Sequence, residues 1–452
     1  MAAHIDNAVT EPDPNGIAGL LPPDAAWQDR RIYWDEDIYQ QELERVFARS
    51  WLFLTHENLI PEPGDFVTTF MGEDRVIVAR GRDGVVRAFL NSCNHRGNIV
   101  CRADSGNARS FVCHYHGWAY GLDGALADVP LEKDIYGDDF DRGKLGLKTV
   151  RVESYRGFLF GNFDASAPSL EDYLGEMGWY FDTFMAVPGG AELLGPPIKV
   201  RVRANWKFFA ENFAGDFYHA GWTHAAAVSV IGGALAEVQG NKAVAPGYQF
   251  TTTFGHGFNA SPGTEDLFPH IHQGEIAREF DDWMRARIPV VRKELGPERA
   301  EIYNAIWDGT MFPNTSFLRG IDTWKVWQPR GPRELEIWTW TLVEQDMPES
   351  LKRGIRHSNE KTFGAAGLLE GDDGENMEGN TNTAAGWVTR QQPLNAQMGL
   401  AREHAHPVFP GRVSQPADNE ASHRNLLRMW RTMMLHEDWD KIMAARRAEY
   451  AA

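Results

Sequence analysis

The chain has 452 residues, 43% hydrophobic and 24% charged, and its 45 Lys and Arg against 63 Asp and Glu leave a net charge of −18. That length suits a large core in two domains, while the acidity argues against nucleic acid as main partner, because phosphate binding needs a basic footprint. No run of about 18 apolar residues occurs, so no membrane-spanning helix is expected.

The opening "MAAHIDNAVTEPDPNGIAGLLPPD" lacks a basic start followed by an apolar core. It reads as a loose arm rather than a secretory signal, and the expected compartment is the reducing cytoplasm. From Asp35 to Trp51, Tyr39, Leu43, Val46 and Phe47 recur at spacings of three and four, which predicts an amphipathic helix. Beyond Trp51 short β runs take over. "DRVIVARGRDGVVRAFLNSC" predicts a hairpin turning at Arg82-Asp83-Gly84, "WAYGLDGALADV" repeats the device at Asp123-Gly124, and "YRGFLFGNFD" follows. Ser169 with Asp172 three residues later marks a helix start. The rest mixes helical "SLKRGIRHSNEKTFGAAGLLEG" with strand-like "TWKVWQPRGPRELEIWTWTLV", an α+β pattern. The expected division is an arm and helix over 1–49, a small all-β domain over 50–167, and a larger α+β domain over 168–452. Sixteen tryptophans point to aromatic-rich cores or pockets.

All three cysteines fall between Asn91 and Trp118, within "NSCNHRGNIVCRADSGNARSFVCHYHGW". Three cannot pair among themselves, and clustered cysteines in a reducing compartment point to metal. Cys93-x-His95 and Cys113-x-x-His116 each offer one thiolate and one imidazole. A Cys2His2 zinc site usually pairs Cys with Cys and His with His, the histidines on a helix. Interleaved pairs on loops suit a [2Fe–2S] cluster with two cysteines on one iron and two histidines on the other, at a potential of about −150 to +300 mV. Zinc remains the competing reading. Cys101 and His114 fall outside the spacing and read as a core residue and a surface residue.

A second constellation lies in "NWKFFAENFAGDFYHAGWTH", with Asp216, His219 and His224. Five residues on an ideal helix turn through about 500°, so these two rings would diverge by about 140°. For both to reach one metal the helix must distort or end, and Gly221 is the candidate break. Asp216, three residues before His219, is within reach of the same helix side and could fix that ring. On residue types alone, two satisfied histidines are an equal reading.

"CNHRG", "CHYHGW" and "ENFAGDFYHAGWTH" together resemble the catalytic α subunits of Rieske non-haem iron aromatic ring-hydroxylating oxygenases, over almost the whole chain after the arm. The resemblance implies an all-β Rieske domain and a catalytic domain whose antiparallel sheet is flanked by helices. It implies a [2Fe–2S] cluster on Cys93, His95, Cys113 and His116, and a mononuclear Fe(II) on His219, His224 and one acid. "FGAAGLLEGDDGENMEG" is similar to the family's acidic segment and makes Asp373 the third ligand, with Asp372 competing and Glu370, Glu375 and Glu378 more distant choices. It gives Asp216 the role of electron bridge to a Rieske histidine of a neighbouring subunit.

The implied reaction adds both atoms of O2 to a biaryl or polycyclic arene, giving a cis-dihydrodiol, with electrons from NADH through a reductase and a ferredoxin. The implied partners are a small β subunit in an α3β3 assembly, with no nucleic acid and no membrane. Candidate pocket residues are Asn212, Phe213, Phe217, Val228, Ile231, Leu235, Phe363 and Leu369. Lys207 is the one cation beside these segments, so an apolar arene is favoured over an aromatic acid. A Rieske monooxygenase and a Rieske electron carrier without oxygen chemistry are the alternatives.

Overall fold

The computed structural model describes residues 13, 16–231, 244–264 and 268–451. It comprises two units, Phe47–Leu170 and Met1–Val46 with Glu171–Ala452. The smaller unit runs through β1 (Leu52–His56), β2 (Asp65–Met71), β3 (Asp74–Arg80), β4 (Val86–Leu90), β5 (Ser105–Asn107), β6 (Phe111–Val112), β7 (Ala119–Tyr120), β8 (Leu126–Asp128), β9 (Thr149–Tyr155) and β10 (Phe158–Asn162). Seven of these form one antiparallel sheet, ordered β1-β10-β9-β4-β3-β2-β5, and β6-β7-β8 form a second.

Both Asp-Gly turns form as the sequence predicts. Asp83 Oδ1 accepts the Val85 N–H at 3.1 Å, and Asp123 Oδ1 accepts that of Ala125 at 3.0 Å. The glycine after each aspartate takes a positive φ, 79° at Gly84 and 82° at Gly124, which glycine adopts without strain. Ile77, Phe89, Phe111, Trp118 and Tyr120 make the core between the two sheets, together with Cys93 and Cys113.

In the larger unit, nine strands form one sheet: β11 (Ala191–Val202), β12 (Tyr248–Thr251), β13 (Gly257–Pro262), β14 (Ala305–Met311), β15 (Thr315–Arg319), β16 (Thr323–Pro329), β17 (Leu335–Glu344), β18 (His404–Ala405) and β19 (Arg412–Ser414). Their order is β11-β17-β16-β15-β14-β13-β12-β19-β18, antiparallel throughout. Every residue of β14 and β16 is buried, so both sheet faces are covered there. The helices that matter for the site are α1 (Glu36–Glu42), α2 (Trp206–Phe213), α3 (Ala220–Thr223), α4 (Ala225–Ile231), α5 (Gly274–Leu295), α6 (Glu349–Thr362), α7 (Glu370–Ala384) and α8 (Ala421–Leu435). α2 packs on β14, β15 and β16, and α7 packs on α2.

Three expectations change. The arm lies partly outside the described residues, but it is not loose from Ile17 onward. Ile17–Leu20 is a short helix whose first N–H groups bond the Asp13 carboxylate, and Ile17 and Leu21 are buried. The helix predicted to reach Trp51 stops being α-helical at Glu42, where a wider turn over Leu43–Phe47 takes over. Burial of Tyr39, Val46 and Phe47 follows the periodicity, whereas Glu42 is buried against it, by ion pairing to Lys207. The predicted helix through Phe363–Gly371 breaks instead. Residues 363–369 form a bend closed by Leu368 N–H to Lys361 O and Leu369 N–H to Thr362 O, both 2.9 Å, before α7 begins. Among the described residues no helix is long and apolar enough to cross a membrane.

Candidate metal centres and active site

Two loops of the smaller unit repeat one device. Cys93 O accepts the Gly97 N–H at 2.7 Å, and Cys113 O accepts the Gly117 N–H at 2.9 Å. Each glycine, four residues after its cysteine, has a positive φ (74° and 77°), so each loop curls back on its thiol. The two thiols are buried, while His95 is half-buried and His116 exposed. The rings of His95 and His116 lie 4.4 Å apart, and Trp118 stacks on His95 at 4.9 Å. Tyr120 Oη is 3.2 Å from Cys93 Sγ and takes the Asn94 N–H. Burial alone would raise the Cys113 thiol, yet the backbone N–H groups of Tyr115 and His116 hold it below its ordinary value, favouring the thiolate that binds metal. Cys101 bonds the Ala103 carbonyl at 3.7 Å instead, and its thiol is pushed up by burial.

The second constellation is assembled quite differently. α2 ends at Phe213 and Gly215 (φ 139°) turns the chain out of the helix. His219 then opens, and His224 closes, the single turn of α3. The break that brings the rings together therefore lies at the two ends of that turn and not at Gly221, which is buried within it. The two rings are 5.1 Å apart. Asp373, from the first turn of α7, places Oδ1 3.5 Å from His219 Nε2 and 3.2 Å from His224 Nε2. One donor atom from each of the three lies within 4.8 Å of the others.

Neighbours fix the ring orientations. His219 Nδ1 meets the Asp216 carbonyl, with the Asp216 carboxylate at 3.6 Å and the Asn212 amide at 3.3 Å. Asp216 reaches it from non-helical chain, so the helix-side argument from spacing does not describe the contact. His224 Nδ1 faces Asp372 Oδ2 at 3.4 Å. Asp372 is thus turned to the back of His224, with its side chain 42% exposed, whereas that of Asp373 is 3% exposed. Of the other acids, Glu370 pairs with Lys325, Glu375 is exposed, and Glu378 takes the Arg203 N–H. Burial would raise Asp373, but His219 and His224 hold its carboxyl far below the usual range; burial would lower His219, but Asp216 and Asp373 raise it. The surroundings of the triad thus favour positive charge there.

The triad forms part of the wall of a small, largely apolar cavity. Asn212, Phe213, Phe217, Phe363 and Leu369 line it. Val228 and Ile231 fall on α4, and Leu235 lies outside the described residues. Sequence reasoning missed Ala220, Ile271, Ile306, Asp308, Leu318 and Ile321, which complete the lining. Ile306 and Asp308 are two apart on β14, and Leu318 sits opposite Asp308 in register, so one sheet face supplies three of them. No ligand spacing marks such residues; only strand pairing does. Lys207 does not line the cavity: fully buried, it bonds Glu42 at 2.5 Å, and Trp206 and Trp430 donate to the same carboxylate. Lys325 stands behind Phe363, its Nζ 4.2 Å from the ring centre, neutralised by Glu370.

The donor sets fit iron groups. His95 Nδ1 and Asp373 Oδ1 are buried without a hydrogen bond, as metal-directed atoms are. Among the described residues, His219, His224 and Asp373 are the one group of three donors converging on a point.

Residues 178–436 match the ring hydroxylating alpha subunit (catalytic domain) family, and residues 50–153 the Rieske [2Fe-2S] domain family. The large oxygenase component of the naphthalene 1,2-dioxygenase system of Pseudomonas aeruginosa is 43% identical over 93% of this chain and 94% of its own. The biphenyl dioxygenase subunit alpha of Metapseudomonas furukawaii is 40% identical over 95% and 96%. A solved naphthalene 1,2-dioxygenase with indole in its active site superposes with a TM-score of 0.92 at 41% identity, covering 96% of this chain and 97% of that one.

Proposed function

Because the chain belongs to the ring-hydroxylating oxygenase α subunits with a Rieske domain, we propose that it dihydroxylates a biaryl or polycyclic hydrocarbon at the cavity beside His219, His224 and Asp373. It is an oxygenase that carries a Rieske [2Fe–2S] cluster and a non-haem iron, uses O2, and acts with other components. The observation that carries the site assignment is the convergence of two imidazoles and one buried carboxylate in the wall of an apolar cavity.

Cys93, Cys113, His95 and His116 would hold the cluster, and His219, His224 and Asp373 the iron, two histidines and one carboxylate leaving positions open. When bound, the cluster supplies single electrons and the iron supplies the place where O2 is activated. The chain's own residues do the rest. Asp216 and Asn212 fix the His219 ring, Asp372 fixes His224, and the Lys325–Glu370 pair anchors the start of α7, which carries Asp373. Phe213, Phe217, Phe363, Leu318 and Ile306 exclude water and hold an arene flat and close, so positioning provides much of the rate. The exposed edge of His116 offers an electron exit, and Asp216, its side chain 39% exposed, offers an entry. Electrons would pass between them across neighbouring subunits of an α3β3 assembly, supplied from NADH by a reductase and a ferredoxin in the cytoplasm. The expected product is a cis-dihydrodiol.

The test is a panel of arenes, naphthalene and biphenyl included, incubated with NADH, ferredoxin, reductase and ¹⁸O2. Two labelled oxygens in a dihydrodiol support the reading. One labelled oxygen would make the chain a monooxygenase, and zinc without acid-labile sulfide would sink both.

A further inference from the structure

The cavity wall is apolar except at two places. One is the metal-binding triad with its neighbours Asn212 and Asp216. The other is Asp308, set between Ile306, Leu318 and Ile321 on the β14–β15 face. Asp308 is 8% exposed, and among the described residues it makes no ion pair. Its Oδ1 is buried with no hydrogen-bond partner. Burial pushes the carboxyl up to about 8, against the opposing influence of the His219 charge. Asn259, also fully buried, lies close enough for its amide to pull the carboxyl down, though not in the geometry of a full hydrogen bond. A carboxyl stranded in an apolar wall is costly unless something satisfies it. The chain itself supplies too little, and the space that Asp308 borders is the substrate cavity. Rotation about the last side-chain bond is soft, so either oxygen can turn to the occupant. An ionised carboxylate only accepts, and a neutral carboxyl keeps an accepting carbonyl oxygen that can turn to the occupant, so an N–H or O–H donor satisfies the group in either state.

We propose that Asp308 is a specificity-determining residue that favours arenes bearing an N–H or O–H group over plain hydrocarbons of the same shape. The inference rests on the cavity being the arene pocket. The reacting edge of the ring meets the triad, while the polar substituent is directed to β14. Recognition of this kind discriminates more sharply than apolar packing, because the analogue lacking the donor leaves a buried acceptor unpaired.

Indole and indene differ by N–H against CH2 in nearly the same outline and serve as probes. Dissociation constants for both are measured by calorimetry on the holoprotein, wild type, Asp308→Leu and Asp308→Asn, with melting curves to check folding. The Kd ratio of indene to indole is expected to fall about tenfold in Asp308→Leu, the size of one hydrogen bond to such a group. Asp308→Asn keeps an acceptor oxygen and should keep most of the preference. An unchanged ratio in Asp308→Leu overturns the proposal, as would a water that satisfies the carboxyl without selecting ligands, since it predicts that same unchanged ratio. Labelled-oxygen products from naphthalene, assayed on the same wild-type preparation, report separately on the oxygenase reading. Dihydrodiol formation with an unchanged ratio removes the role of Asp308 alone. A shifted ratio without any oxygenated product removes dihydroxylation of naphthalene as the reaction and leaves ligand selection by Asp308 standing.

Discussion

The two candidate metal regions are built in opposite ways. The Cys93–His95 and Cys113–His116 loops lie close in sequence, each closed by its own backbone bond and its own glycine. The His219–His224–Asp373 group joins a one-turn helix to a helix far along the chain. Its third member is held in place by packing of α7 on α2 and by a buried ion pair to β16. A locally built site carries its geometry in its loops. A site joined across the fold carries it in contacts that themselves bind nothing.

That contrast can be broken outright. Asp373→Ala is expected to abolish oxygenation and mononuclear iron while leaving the cluster's visible absorption and EPR signal intact. Cys93→Ala should do the reverse to the spectra. If Asp373→Ala still dihydroxylated an arene, the triad assignment would be wrong.

The next effect sharpens the idea that remote contacts hold the joined site. Lys325 and Glu370 have side chains 0% and 6% exposed and face each other. Lys325→Met leaves the Glu370 charge buried and alone, which should cost about 3–5 kcal/mol in urea unfolding. Iron content should fall in the same variant with cluster absorption unchanged. Equal loss of both metals would show that the two regions are not separable in this way.

A third measurement uses pH. Burial raises Glu211 from 4.5 to about 8, although Tyr33 donates to it at 2.8 Å. Its folded-state pKa is above the unfolded one, so the folded chain holds a proton that the unfolded chain has lost between those values. Stability is therefore greatest below about pH 4.5 for this group and declines as pH rises to about 8. Glu211→Gln should flatten that part of the stability profile, measured by denaturant unfolding at pH 5, 6.5 and 8. An unaltered slope would mean that Glu211 is solvated.

The smallest effect tests the local loops. Alanine at either closing glycine forces an L residue to positive φ, at about 1–2 kcal/mol. At Gly117 the added Cβ would also meet Pro130 Cγ at 2.9 Å, whereas at Gly97 its nearest neighbour is Ser92 Oγ at 3.9 Å. Gly117→Ala should therefore lower the melting temperature more than Gly97→Ala. Equal losses would assign the cost to backbone strain alone.

Legibility followed the same divide. The hairpins at Asp83-Gly84 and Asp123-Gly124 are local, because an aspartate and a glycine suffice to set each turn. The ligand spacing of the two loops is local for the same reason. The buried Glu42 was not legible, since periodicity carries no information about a lysine that arrives from α2. Nor was the bend at 363–369, which depends on backbone bonds back to α6.

By itself the sequence determined two domains of different character, the thiolate and imidazole loops, and a histidine pair needing a break in its helix. Only the tertiary structure decided where that break falls. It also turned Asp373 rather than Asp372 to the two Nε2 atoms, and set Asp308 in the cavity wall. The reason is physical: turn chemistry and spacing act over a few residues, whereas burial, charge pairing and cavity shape are properties of segments that meet only when the chain has folded.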